Sequence, residues 1–176
     1  MAGIGVIPEK TINYRLFIDG SASQAALVDA DLPEIKMMSD TISGAGIAGE
    51  IESPTLGHTS SLILGLNIRS LMGEDFLALA QKSYTLELKA GMQSTDQVNG
   101  VVKTGKLSVV AKGTPTGLTL GKLSVGKPTD SKAEFSLTYL KITYDGKEVL
   151  EIDKIAMIHK VNGTDYLADL RDAMGM

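Results

Sequence analysis

Two glycine-rich stretches are the first places to look for chemistry in this sequence. Gly44-Ala45-Gly46-Ile47-Ala48-Gly49 fits G-x-G-x-x-G letter for letter, the pattern that lets a backbone approach a dinucleotide pyrophosphate between a strand and a helix. Its context rejects that role. Met38 to Ser43 is polar rather than a buried strand, and Ile51 to Pro54 cannot continue a helix. A flexible contact loop of small residues is the better reading. Gly121-Lys122-Leu123-Ser124-Val125-Gly126-Lys127 approaches a phosphate-binding loop, but Pro128 stands where a magnesium-binding hydroxyl is required. No apolar helix follows to present its N-terminus to an anion, so a turn between strands accounts for the glycines.

The ionisable residues are no more promising. His58 and His159 lie far apart with no Cys and no H-E-x-x-H spacing, so a zinc site has no ligand set. Glu151 and Asp153 lie two apart on one strand face, as paired acids might, yet a solvated strand face is far commoner. No G-x-S-x-G elbow presents a serine nucleophile. Asn162-Gly163-Thr164 matches a glycosylation triplet, but without a secretory signal it reads as turn chemistry. The expectation is a protein that is not an enzyme, with no cofactor and no metal.

The elements that hold these residues must come from a strand-and-turn chain. With 176 residues, 43% hydrophobic and 22% charged, the sequence suits one domain over 1–176 with one core. Aromatics are 5%, Trp is absent and Gly reaches 19, which favours turns and close backbone approaches over a large aromatic core. The lack of Cys excludes disulfides and thiolate metal sites. A net charge of −4 leaves no excess of cations for tight nucleic-acid binding. Met1 to Lys10 lacks the order of a signal peptide, and the apolar runs at Leu62 to Leu66 and Ile155 to Ile158 are too short to span a bilayer.

In chain order, Asn13 to Asp19 places Tyr14, Leu16 and Ile18 on one side of a first strand. Ala26 to Lys36, interrupted by Pro33, reads as an exposed edge. Met37 to Pro54 reads as a long projecting loop or thin hairpin, anchored only by Ile42, Ile47 and Ile51, and long loops in compact domains are usually functional or disordered. His58 to Ser70 reads as a strand, and Gly73 to Lys82 as a short helix with Phe76, Leu79 and Ala80 inward and Glu74 and Asp75 at its positive end. Tyr84 to Ala90, Lys106 to Ala111 and Leu118 to Val125 read as further strands. A last helix, capped by Thr164 or Asp165, runs through Asp172 before Gly175.

Phe135 to His159 is the longest run of strand character, broken by Asp145-Gly146. A two-residue loop there would set Leu140 opposite Glu151 and Thr138 opposite Asp153, mixing apolar and charged residues on one face. A three-residue loop of Tyr144-Asp145-Gly146, with Gly146 left-handed, instead pairs Leu140 with Leu150 and Thr138 with Ile152. One face is then apolar, and the other carries Lys141, Thr143, Lys147, Glu151 and Asp153. The bulged turn is therefore expected.

The run from Tyr139 to Leu167, with its aromatic strand, Asp-Gly, Glu-Ile-Asp strand and Val-Asn-Gly turn, resembles the C-terminal signature of major tail tube proteins of contractile-tailed bacteriophages. Leu16-Phe17-Ile18-Asp19-Gly20, Asp31-Leu32-Pro33-Glu34, the glycine-rich Ser43 to Glu50, and Gly121-Lys122 ahead of Lys132 to Glu134 agree with it, so the resemblance covers nearly the whole chain. It implies a mainly β fold, an antiparallel β-sandwich or partial barrel with two short α-helices and a long projecting loop, closing into a large barrel by ring oligomerisation. It further implies hexameric rings that stack into an inner tail tube, a conduit for DNA ejection inside a contractile sheath. Tubes of contractile R-type bacteriocins, which perforate a target membrane, share the pattern. The implied partners are other copies of the chain, the sheath protein, tape-measure, baseplate and tail-terminator proteins, and DNA as transient cargo. No transmembrane segment is among them. The place implied is a virion tail or bacteriocin particle, assembled in the bacterial host cytoplasm. Onto this picture we map an inter-subunit loop (Ile42, Gly44, Gly46, Ile47, Gly49, Ile51), a lumen face (Glu151, Asp153, with Lys141 partly compensating) and a sheath contact (Glu74, Asp75). The competing class is a monomeric β-sandwich binding a glycan or peptide, whose mark would be clustered surface aromatics. Only five Tyr and three Phe are scattered here.

Overall fold

The computed structural model describes residues 5–22, 27–71, 73 and 79–176. Its strands are β1 (Val6–Ile18), β2 (Ser21–Ala22), β3 (Leu27–Asp31), β4 (Met37–Ile42), β5 (Ile51–Thr59) and β6 (Leu62–Ile68), followed by β7 (Tyr84–Asp96), β8 (Val102–Thr119) and β9 (Ser131–Tyr144). β10 (Lys147–Asp153), β11 (Ile158–Val161), β12 (Thr164–Asp165) and the helix α1 (Ala168–Ala173) complete the order. One antiparallel sheet runs β12-β11-β10-β9-β8-β7-β1-β2, with β6 also paired to β9 and β3 paired to β6. β4 and β5 form a separate two-stranded ribbon.

The sheet forks along β9. On one flank β9 pairs with β8 along most of its length. On the other, its first half pairs with β6 from Ser131 to Leu137 and its second half with β10 from Tyr139 onward. Thr138 is the extra residue at the fork, because β8 shifts register between Lys112↔Tyr139 and Gly113↔Leu137. Such a bulge reverses side-chain parity and increases twist. Accordingly Ala133, Phe135 and Leu137 point inward before it and Leu140 after it. Gly113 is required at the bend, since a Cβ there would strike the Ser136 carbonyl oxygen. The core lies on one face of this sheet: Leu62, Leu64, Leu66 and Ile68 of β6 meet Leu16, Tyr84, Leu86, Leu88, Val109, Ala111, Leu140 and Ile152. Tyr84 and Phe135 pack edge to face at 6.4 Å. Each buried leucine here contributes roughly 2 kcal/mol.

The sheet does not close. β2 and β12 end its path and β3 ends the branch, so among the described residues a single chain is an open sheet rather than a closed barrel. Pro33 explains why β3 stops at Asp31, leaving an edge strand as expected.

Several elements differ from the sequence reading. The central hairpin turns through two residues, Asp145 (φ 47°) and Gly146 (φ 78°), with Tyr144 opposite Lys147. A bulge at Val149 then shifts the register, so Leu140 faces Ile152 and Ile142 faces Leu150. Leu140, Ile142, Leu150 and Ile152 share the apolar face as expected, but Thr138, expected opposite Ile152, is the exposed extra residue at the fork, Glu148 rather than Lys147 joins Thr143 on the wet face, and the bulge sits in the strand rather than the turn. His58 to Ser70 is split, because His58 and Thr59 close the β4–β5 ribbon before β6 begins at Leu62. Lys106 to Ala111 is part of a much longer β8, and Leu118 to Val125 is not a strand: β8 ends at Thr119 and the chain leaves the sheet until Ser131. Of the two expected helices, α1 is the one among the described residues. Half of Gly73 to Lys82, including Glu74, Asp75 and Phe76, lies outside them; Leu79 is exposed rather than inward, while Ala80 packs on the core. Thr164 and Asp165 do not cap α1. They form β12, and Leu167 occupies the cap position without a side-chain bond. Asp165 steers the entry instead, accepting from the Leu167 N–H at 3.1 Å and pairing with Arg171 at 2.6 Å. Gly175 (φ 73°) ends the helix, with Gly175 N–H to Asp172 O and Met176 N–H to Arg171 O both at 3.0 Å.

Candidate functional site

The face of the sheet opposite the core carries a lattice of charge, because alternation between the bulges sends every second residue of β1 and of β7 to β11 outward. One cross-strand row runs Phe17, Glu87, Val110, Lys141, Glu151, Lys160. A neighbouring row runs Arg15, Lys89, Ser108, Thr143, and another Thr85, Lys112, Tyr139, Asp153. These rows hold five cations (Arg15, Lys89, Lys112, Lys141, Lys160) against three carboxylates (Glu87, Glu151, Asp153); Lys89, Lys141 and Lys160 are ion-paired, while Arg15 and Lys112 have no carboxylate partner among the described residues. Lys89 lies 3.1 Å from Glu87 and 4.8 Å over the Phe17 ring, and Lys112 lies 5.3 Å over the Tyr139 ring.

Glu151 is the hub. Lys160 Nζ is 3.0 Å from Glu151 Oε2, the Tyr139 hydroxyl donates to Oε1 at 2.9 Å, and Lys141 approaches Oε1 at 3.9 Å while holding Glu148 at 2.6 Å. Burial would raise the Glu151 carboxyl, but the hydrogen bonds from Lys160 and Tyr139 and the charge of Lys141 outweigh it and hold the group below its usual range. The Tyr139 hydroxyl is pushed up to about 12 by burial and then by the adjacent carboxylates. Asp153 has a different task. Its Oδ1 accepts from the N–H groups of Ile155 (2.9 Å) and Ala156 (2.8 Å), so it builds the β10–β11 turn. The structure thus groups Lys141 with Glu151 and gives Asp153 to the backbone.

Met37 to Thr59 forms a thin hairpin. Every residue of β4 is exposed, and Ile42 (48% exposed) lies opposite Ile51 (53%) as a cross-strand pair in the open. Ile47 is half-buried in the tip, where its N–H meets the Gly44 carbonyl at 3.1 Å, and Gly46 (φ 94°) and Gly49 (φ 117°) supply the turns. The G-x-G-x-x-G stretch is therefore a hairpin tip. The base is fixed: Gly57 (φ 67°) lies so close to Leu167 that a Cβ would come within 2.5 Å of its Cδ2. Lys154 Nζ also donates to the Ser60 carbonyl at 2.6 Å. Glu74 and Asp75 lie outside the described residues.

The sequence reading missed the β8–β9 loop, Leu120 to Asp130, as a surface feature. Its neck is closed by the Lys122 N–H to the Thr129 carbonyl at 2.8 Å, and Gly121 (φ 78°) is required there because a Cβ would collide with that carbonyl. Beyond the neck, Leu123 is 90% exposed and Val125 fully so. Apolar residues at the tip of a glycine-flanked turn were the available signal. The described residues contain no cluster of metal-ligating side chains and no helix long and apolar enough to cross a membrane.

Comparison with known proteins is consistent with these surfaces being structural. The family model described as phage tail tube protein FII matches residues 8–175. The tail tube protein of Escherichia phage P2 is 29% identical, covering 97% of this chain and 99% of that protein. The major tail tube protein of Serratia phage KSP20 is 22% identical over 97% and 98%. Among solved structures, a chain of an extracellular contractile injection system, PVC sheath/tube terminator in the extended state, superposes with a TM-score of 0.55 at 10% identity, covering 77% of this chain and 96% of that one. A chain of the corresponding sheath–tube complex gives 0.52 at 10% identity, covering 74% and 88%.

Proposed function

This chain belongs to the phage tail tube protein FII family, and from that membership we propose that its copies close into hexameric rings whose sheets join into one large barrel, and that the rings stack into the hollow inner tube of a contractile tail. It is a structural protein of the tail, not an enzyme. The observation that carries the reading is the unclosed sheet: among the described residues β2 covers β1 only at Phe17 and Ile18, so the outer edge of β1 from Val6 to Leu16 is left for a neighbour to pair, and soluble proteins do not leave long edges bare. A contact between unlike surfaces closes into a ring when its rotation permits.

In this assembly the charged face lines the lumen, and the tube conducts DNA. Each phosphate held by an unpaired Lys or Arg adds salt-dependent affinity that would retard a duplex at every ring. On this face Lys89, Lys141 and Lys160 are already engaged by Glu87, Glu148 and Glu151, which leaves Arg15 and Lys112 as its cations without a carboxylate partner among the described residues. The core face cannot serve, because it is filled. The outside of the tube meets the sheath, consistent with sheath–tube assemblies among the proteins of similar fold. The chain continues to tape-measure, baseplate and terminator partners at the tube ends.

Negative-stain microscopy of the purified protein tests the proposal. Rings or hollow tubes are expected on concentration. A monomer at every concentration, with the fold intact, overturns it. Particles that contain tubes but never DNA would assign the tube to a bacteriocin.

A further inference from the structure

We infer that the tip of the β8–β9 loop of one copy is the seat for the β4–β5 hairpin of the next. The inference rests on the tube reading and adds which surfaces meet.

The two elements leave the body at opposite ends of one strand. The hairpin returns to the sheet at Thr59, just ahead of Leu62 at the start of β6, and Leu62 lies opposite Leu137. The β8–β9 loop ends at Asp130, next to Ser131, which lies opposite Ile68 at the end of β6. Seven residues of strand hold these roots about 20 Å apart. Loop and hairpin therefore face opposite ends of the molecule, the arrangement a head-to-tail contact requires.

Their chemistry is complementary. From Met37 to Thr59 the charged residues are Asp40, Glu50 and Glu52, all exposed, with no Lys or Arg among them. The loop from Gly121 to Thr129 carries Lys122 and Lys127 and no acid. Among the described residues neither lysine has a carboxylate partner within its own chain. Each element also presents bare apolar side chains: Ile42, Ile51 and Leu56 on the hairpin, Leu123 and Val125 on the loop. The braced loop neck and the hairpin base seated on Leu167 hold both in fixed poses, so little ordering entropy opposes the contact. An apolar centre flanked by opposite charges fixes register as well as affinity.

The test uses two charge-reversed chains, one carrying Asp40→Lys and Glu50→Lys, the other Lys122→Glu and Lys127→Glu. All four sites are exposed, and unchanged circular dichroism and melting certify each fold. Each variant alone is expected to need a concentration roughly tenfold or more higher than wild type to assemble, since like charges then meet at every contact. An equimolar mixture is expected to recover assembly, because each hairpin then finds a loop of opposite sign on the other variant. Wild-type assembly together with unimpaired single variants, or a mixture no better than either alone, overturns the inference and leaves the tube reading standing. A wild type that never assembles overturns the tube reading itself.

Discussion

Replacing Ile42 and Ile51 together by Ser separates an assembly surface from a core. Both sit in the hairpin as direct cross-strand partners, 48% and 53% exposed. Fully burying an isoleucine yields about 2–3 kcal/mol, so the half still exposed on each offers about 1 kcal/mol to a neighbour, or about 2 kcal/mol per contact for the pair. That corresponds to roughly a 30-fold weaker contact in the double variant. Within the chain, the loss is the cross-strand pair itself, about 0.2–1 kcal/mol, which for a chain of this size lowers Tm by no more than about 4 °C. Sedimentation velocity across a concentration series reads the first quantity and thermal melting the second. A variant that assembles at the wild-type concentration refutes the surface role. One whose Tm collapses shows that the pair belongs to the fold.

Other outcomes follow from the same geometry. Gly121→Ala is expected to open the loop neck, speeding hydrogen exchange at the Lys122 amide and weakening assembly while the core amides keep their protection; an unchanged Lys122 amide would contradict the steric argument. Leu62→Ala, at a fully buried site, should cost about 2–5 kcal/mol by urea unfolding, and a loss below about 1 kcal/mol would mean the core refills the space. The Glu151 carboxyl is held below its ordinary 4.5 in the folded chain. Its contribution to stability is therefore present above that value and lost as pH falls through the lower folded value, at most about 1 kcal/mol in a partly hydrated network. Glu151→Gln should flatten the acid limb of the Tm–pH curve, and superimposable limbs would show the network to be inert. Glu148→Gln with Glu151→Gln frees Lys141 and Lys160, so if that face lines the passage, tubes should form normally and deliver DNA more slowly. Normal delivery through such tubes would put the face on the outside.

Much of this was legible in the sequence where one physical rule acted alone. The alternation of Tyr14, Leu16 and Ile18 and of Tyr84, Leu86 and Leu88 was enough to assign their inward faces, and Pro33 marked where β3 must stop. Asn162 (φ 50°) and Gly163 (φ 85°) make the expected turn. The reading failed where two rules competed. At the central hairpin, face matching demanded one extra residue, but the sequence does not say whether turn or strand absorbs it; Asp145-Gly146 suits a two-residue turn so well that Val149 became the bulge. Leu118 to Val125 contains enough apolar residues to resemble a strand, yet Leu123 and Val125 have no partner strand to pack beneath. Pairing between distant segments decides that, and it leaves no local trace. Nor did spacing indicate that Asp153 would serve the backbone, since an acid facing solvent and an acid bonded to the next turn look alike on paper.

The seating of Gly57 on Leu167 sets an order of events in the life of the chain. The hairpin's strands are made well before the surface that orients them, since Leu167 lies far downstream of Gly57, and β1 likewise waits for β7, with Val6 opposite Asp96. Contacts between segments so remote in sequence form slowly. A nascent chain therefore emerges with an unaimed hairpin, and chains still on neighbouring ribosomes are poor partners for one another. A contact that needs an aimed hairpin therefore becomes available only once translation of the subunit has passed Leu167.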